Sequence, residues 1–207
     1  MCAPIFWAVS TGIHFLEEAV KSAIEIFKNN REKDHLNWER GKLTMDCNQL
    51  LESIEDYLSE ASPEEVDVLS SILEGLKGKK HGEYRSYISA LTMDRRRFLD
   101  NGDYEVRLPI QPLIYNPLNF VHGGITATLL DTAMGSFVNQ SLPEHLAAVT
   151  TEMKVNYLKP GTGKELICIA SIIHKGTSFY VCEAKVYNDK NKLIASGSGS
   201  FFIIKRN

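Results

Sequence analysis

The chain has 207 residues, 43% of them hydrophobic, and a formal net charge of −3. That size supports one globular domain with an extension, or two small domains. No apolar run approaches the length needed to cross a bilayer, and the first twenty residues lack a basic start and carry Glu17 and Glu18, which makes a poor secretory signal.

The cysteines, Cys2, Cys47, Cys168 and Cys182, have no CxxC or CxxH spacing. This argues against a metal site or a disulfide framework and fits the reduced thiols of a cytoplasmic protein. Charge is unevenly placed. Residues 1–44 carry six acidic and six basic groups, 45–80 nine and three, and 81–207 eleven and fourteen, so the segments stand at 0, −6 and +3. The mildly cationic last segment suits a small anionic ligand. The acidic middle argues against nucleic acid contact there.

Residues 12–29 have mixed helical character, and 29–42 form a charged polar run. Met45 is followed by a clean amphipathic pattern, Leu50, Leu51, Ile54 and Leu58. Glu39-Arg40-Gly41, three codons upstream of Met45, is encodable by a purine-rich run where a bacterial ribosome-binding site would lie. Residues 1–44 are therefore read either as a translated leader, with Met45 the start, or as a helical extension. Ser62-Pro63-Glu64-Glu65 is a helix start, with Ser62 as cap and Glu65 completing a capping box. Val66, Leu69, Ile72, Leu73 and Leu76 mark one face, and Gly78 with Lys79-Lys80 ends it. So 45–80 reads as an acidic helical pair, and 77–82 as a hinge-like boundary before a domain at 81–207.

Within that domain Tyr87 to Phe98 reads as a short helix. Tyr104, Val106, Leu108 and Ile110 alternate as in a strand. A strongly apolar helix from Gly123 to Gln140 is predicted to be mostly buried. Four strands follow, at 148–158, 165–174, 178–188 and 193–204, punctuated by Pro160-Gly161, Gly176 and Asn188-Asp189-Lys190-Asn191. The class is α+β, with an antiparallel sheet wrapped around a long central helix. Ser196-Gly-Ser-Gly-Ser200 has linker composition, but Leu193-Ile194 and Phe201-Phe202 flank it. It reads as strand whose small residues permit a close approach to the helix or a neighbour.

The most informative stretch joins the first strand to the helix: Asn116, five residues, His122-Gly123-Gly124, six residues, Asp131. A paired Gly at a helix start leaves backbone N–H groups pointing outward, backed by the positive end of the dipole. Such a site can hold a developing oxyanion. A carboxylate among Leu129, Leu130 and Met134 can serve as base or nucleophile. The pieces suggest acyl transfer or hydrolysis.

This spacing, with the strand order, resembles the hotdog-fold acyl-CoA thioesterases, nearest the phenylacetate-degradation (PaaI-like) branch and the thioesterase superfamily member 2 type. The resemblance spans about residues 100–205. It implies Asp131 as general base or nucleophile, the Gly123 N–H polarising the thioester carbonyl, Asn116 assisting, and His122 orienting Asn116. It places a water-holding hydroxyl on the next strand at Thr150, with Thr151 adjacent. It implies a CoA channel lined by Tyr157-Leu158-Lys159-Pro160-Gly161 and by His174-Lys175-Gly176-Thr177-Ser178. Lys159 and Lys175 would meet phosphates there, and Arg95-Arg96-Arg97 is a further cationic run. No metal or redox cofactor is implied, since CoA is part of the substrate.

His122 and Asp131 are nine residues apart on one helix, about 13 Å along its axis. One copy of each does not readily share a small site within a chain. An antiparallel two-fold pairing would set Gly123 of one subunit beside Asp131 of the other. This agrees with the homodimers the family implies, with a homotetramer as a further assembly. Two other readings compete. One is a non-catalytic acyl-CoA sensor, suggested by the helical pair but opposed by its charge of −6. The other is a protein-interaction role for that pair. Neither nucleic acid nor membrane is an expected partner.

Overall fold

The computed structural model describes residues 45–206, which fall into two units divided between Asp56 and Tyr57. The readings of residues 1–44 lie outside the described residues. Helix α1 spans Cys47–Glu60 and buries none of its residues. Asp46 caps it: Oδ1 accepts from the N–H groups of Asn48 at 2.8 Å and Gln49 at 2.9 Å. Helix α2 spans Pro63–Lys80 with the expected capping box. Ser62 accepts from the Glu65 N–H, and the Glu65 carboxylate accepts from the Ser62 N–H at 2.8 Å. Gly78, expected as the end of α2, lies inside its last turn. With Gly75 it is buried where the α2 backbone meets Ala90 and Tyr84. The chain leaves the helix through His81 and Gly82, whose φ of +85° suits glycine.

The expected helix over 87–98 is half right. Helix α3 covers only Tyr87–Thr92, and Met93 then turns the chain at φ +52°. Arg95–Phe98 forms strand β1, paired antiparallel with β2, Tyr104–Pro109. Arg-Arg-Arg-Phe has no alternation, so its sequence carries no strand signal. Its position is held by ion pairs. Glu105 is buried and accepts from Arg97 at 2.6 Å and Arg107 at 2.9 Å. Burial raises the Glu105 carboxyl, but hydrogen bonds from Arg107 and Arg97 outweigh it and hold the group below the usual glutamate range.

Pro112–Ile114 form a 3-10 turn, then helix α4 runs Gly123–Ser141. Strands β3 (Leu146–Tyr157), β4 (Glu165–Lys175), β5 (Phe179–Asn188) and β6 (Leu193–Lys205) follow. The sheet has six strands in the order β1-β2-β4-β5-β6-β3, all pairs antiparallel. Helix α4 contacts β2, β3, β4, β5 and β6, so the sheet wraps it as expected. Leu129, Leu130, Ala133, Met134, Phe137 and Val138 enter the core. Each of the larger ones contributes roughly 1.5–3 kcal/mol on burial.

The serine-glycine run lies within β6, as expected. A Cβ at Gly197 would stand 3.3 Å from Leu130 Cδ1 and 2.9 Å from the Lys154 carbonyl, and one at Gly199 would stand 3.3 Å from Met134 Cε. Two glycines thus let the strand lie directly on the helix. Cys168 and Cys182 are buried free thiols in this core, where burial pushes Cys182 up to about 12 and Cys168 higher still. They act as packing residues.

Candidate active site

The turn before α4 is built from local polar bonds. Asn116 Oδ1 accepts from the N–H groups of Leu118 at 2.9 Å and Phe120 at 3.1 Å. Asn119 takes φ +59°, and the Asn116 N–H reaches back to the Phe120 carbonyl at 2.8 Å. This is an Asx-type turn, which Asn favours because its side chain imitates a backbone acceptor. Among the described residues the Asn116 amide nitrogen has no acceptor, so it stays available to a ligand. His122 is the N-cap, its Nδ1 accepting from the Gly124 N–H at 2.9 Å. It caps the helix and makes no hydrogen bond to Asn116. The Gly123 N–H, at the first position of α4, likewise has no acceptor among the described residues.

Two later segments converge on this helix start. The Tyr157 hydroxyl donates to the Gly123 carbonyl at 3.0 Å. The Val121 N–H donates to the Gly161 carbonyl at 3.0 Å, and a Cβ at Gly161 would stand 2.9 Å from Val121 Cβ. Leu158 and Lys159 donate their N–H groups to the Ile194 carbonyl at 2.9 and 3.1 Å. Lys159 and Pro160 are exposed at this end of the sheet.

Asp131 lies elsewhere, eight residues or about 12 Å further along α4. It is half-buried, and its Oδ1 accepts from the Thr150 hydroxyl at 2.7 Å. Thr150 is therefore the strand hydroxyl that reaches Asp131. The Thr151 hydroxyl instead donates to the Ser200 carbonyl at 3.0 Å. A β-bulge between Thr150 and Glu152 separates the two threonines. Asp131 and Thr150 open onto a cleft of about 1100 Å³, also lined by Ser136, Asn139 and Arg96.

The turn at His174–Ser178 belongs to this second group. Thr150 pairs with Phe201, Phe201 with Tyr180, and Tyr180 with Lys175, one row across four strands. Lys175 Nζ sits 5.6 Å from the centre of the Tyr180 ring, and Gly176 closes the turn by donating to the Phe179 carbonyl at 2.9 Å. His174, Thr177 and Ser178 are exposed. From Thr150 to Tyr157 is about 23 Å along β3. Within one chain the two expected CoA-lining segments therefore stand at opposite ends of the sheet.

Arg96 was not singled out for a structural role by sequence. It bonds Asp94 at 2.5 Å, Ser136 at 2.7 Å and also Ser89. Burial opposes its charge, yet the Asp94 hydrogen bond and charge win and raise it above the usual arginine value. It fixes α3 and β1 to the middle of α4. Asp94 and Ser89 are near in sequence, but Ser136 is 40 residues away and no local spacing announces it. No group of three or more His, Cys, Asp or Glu suited to a metal occurs among the described residues.

The thioesterase superfamily profile matches residues 118–195, the stretch holding His122, Gly123, Asp131 and Thr150. A putative esterase of Halobacterium salinarum is 34% identical over 116 residues, covering 51% of this chain and 76% of that protein. The chain belongs to the thioesterase superfamily. As a thioesterase it is an enzyme of thioester hydrolysis, with a hotdog fold. It also matches the medium/long-chain acyl-CoA thioesterase YigI of Escherichia coli, at 24% identity over 41% of this chain, and it spans 63% of YigI's length. A Bacillus halodurans protein whose crystal structure contains CoA is 51% identical, with a TM-score of 0.69 over 74% of this thioesterase and 99% of that chain. The PaaI protein of Escherichia coli, at 21% identity and a TM-score of 0.54 over 65% of this chain and 96% of its own, shares the fold. In this thioesterase no helix of the described residues is long and apolar enough to cross a membrane.

Proposed function

We propose that this thioesterase hydrolyses an acyl-CoA to the free acid and CoA, at a site completed by two subunits. The observation that carries the reading is the Thr150 hydroxyl at 2.7 Å from Asp131, opening on the cleft, while the free Gly123 N–H lies about 12 Å away on the same helix. Antiparallel pairing of two α4 helices sets each Asp131 near the partner subunit's helix start. It also unites Tyr157, Lys159, Pro160 and Gly161 of one chain with the His174–Ser178 turn of the other along one CoA.

In this reading the Gly123 N–H and the Asn116 amide take the thioester carbonyl as it gains negative charge. Asp131 either removes a proton from water held by Thr150 or attacks the carbonyl carbon itself. In both routes the C–S bond breaks, CoA leaves as its thiol, and water supplies the second oxygen of the acid. Lys159 and Lys175 meet CoA phosphates. The relative crystallised with CoA supports the CoA part of the reading. The cytoplasm, where acyl-CoA is made, suits it.

Thiol release from benzoyl-, phenylacetyl-, hexanoyl- and palmitoyl-CoA tests it. Asp131→Asn keeps the size and removes the base, so turnover is expected to fall roughly 10²–10⁴-fold on every accepted substrate. Equal turnover in both proteins would remove Asp131 from the mechanism. Tight binding of acyl-CoA without turnover in either would remove hydrolysis.

A further inference from the structure

Asn139 stands in the second half of α4, eight residues beyond Asp131. Asn is a poor helix former, so its place mid-helix points to its side-chain bonds. Its Nδ2 donates to the Gly135 carbonyl at 2.9 Å and to the Ala148 carbonyl at 3.2 Å. Its Oδ1 accepts from the Ala148 N–H at 3.0 Å. One side chain therefore grips both backbone groups of a single residue on β3.

That grip matters because β3 is an edge strand, paired among the described residues with β6 alone of the strands. A residue in an antiparallel strand directs its N–H and C=O the same way. At Ala148 both point away from β6, toward α4. Thr150 is two residues on, so its side chain shares the face of Ala148. Beyond Thr150 the bulge interrupts the regular pairing with β6. Thr150 ends a short ladder, 146–150 on 201–205, which the bulge separates from the longer one at 152–157, so the Asn139 grip on Ala148 is what ties that short ladder to α4. A slip of one residue would present Val149, which has no hydroxyl, or Thr151.

We propose that Asn139 is a positioning residue of the catalytic pair. It sets the register of β3 against α4 so that the Thr150 hydroxyl reaches Asp131. It acts through Thr150, not on the substrate. The inference rests on the reading of Asp131 as the catalytic carboxylate only where activity is the readout. The geometry it claims stands apart from that reading.

The experiment is a double-mutant cycle with Asn139→Ala and Thr150→Val in the full chain, read by thiol release from hexanoyl-CoA, together with a crystal structure of Asn139→Ala. Asn139→Ala is expected to lower kcat about tenfold, with KM within about threefold, because the lost contact serves the reacting state. Thr150→Val is expected to do the same, and the double variant to lose no more than Thr150→Val alone. In the Asn139→Ala structure Thr150 Oγ1 should stand beyond about 3.5 Å from the Asp131 carboxylate, outside hydrogen-bonding range.

Multiplying penalties would overturn the proposal, because the two residues would then act independently. A Thr150–Asp131 contact still at hydrogen-bonding distance in the variant crystal would also overturn it. If Asn139→Ala does not fold, Asn139→Asp replaces it in both readouts. That variant keeps the acceptor for the Ala148 N–H and loses the donor to its carbonyl. Failure of the underlying reading is distinguishable, since Asp131→Asn would then keep full turnover whatever the cycle shows.

Discussion

The two halves of α4 are held by different kinds of force. Its start is organised by neighbours in sequence: an Asx turn at Asn116, a His122 cap and paired glycines. From Asp131 onward it is organised by partners on other elements: Thr150 on Asp131, Asn139 on Ala148, and Arg96 on Ser136. The first half exposes backbone N–H groups, which need no side-chain identity beyond smallness. The second presents a carboxylate whose surroundings come from β1 and β3. The proposed oxyanion site is therefore encoded by a short motif, whereas the proposed base and its hydroxyl partner need β3 in place against α4.

Beyond the loss at Asp131, the sharpest test of this contrast is the pair of threonines. Thr150→Val should lower kcat roughly tenfold, the scale of a lost hydrogen bond to a charged group. Thr151→Val should stay within about twofold, since that hydroxyl meets only the Ser200 carbonyl. Equal losses from both would break the distinction between the halves.

At the helix start, Gly161→Ala places a methyl 2.9 Å from Val121 Cβ and should cost about 1–3 kcal/mol, read as a lower Tm or denaturant midpoint. Wild-type stability in this variant would show that the contact with Gly161 does not set the turn. The smallest effect belongs to the cap. His122→Ala removes the acceptor of the Gly124 N–H and should cost about 1 kcal/mol in a urea melt. A much larger loss of kcat than of stability would give His122 a role in the chemistry as well.

The motif from Asn116 to Asp131 was legible because each part is local: a turn residue, a helix start and an apolar helix interrupted by one carboxylate. The central helix and the last four strands were legible for a similar reason, since their apolar periods are long and turn residues separate them. The β6 glycines could be placed by their flanks, although their partners Leu130 and Met134 could not. Strand β1 was misread as helix because Arg-Arg-Arg-Phe has no period, and only Glu105 and Asp94 show why it is extended. The helix-capping bond of His122 Nδ1 to the Gly124 N–H was not foreseen, although the paired glycines that follow His122 were seen as a helix start.

By itself the sequence determined an antiparallel sheet around a long apolar helix, and the carboxylate and helix start on which the proposed site is built, because helix and strand periods and helix capping act over a few residues; the hotdog family came from the resemblance those residues carry. The tertiary structure decided which threonine meets Asp131, that Asn139 bonds the Ala148 backbone on β3, and that the two predicted CoA segments lie at opposite ends of the sheet within one chain. Those depend on a bulge, on strand pairing and on bonds between residues far apart in the chain, and none of them leaves a local pattern to read.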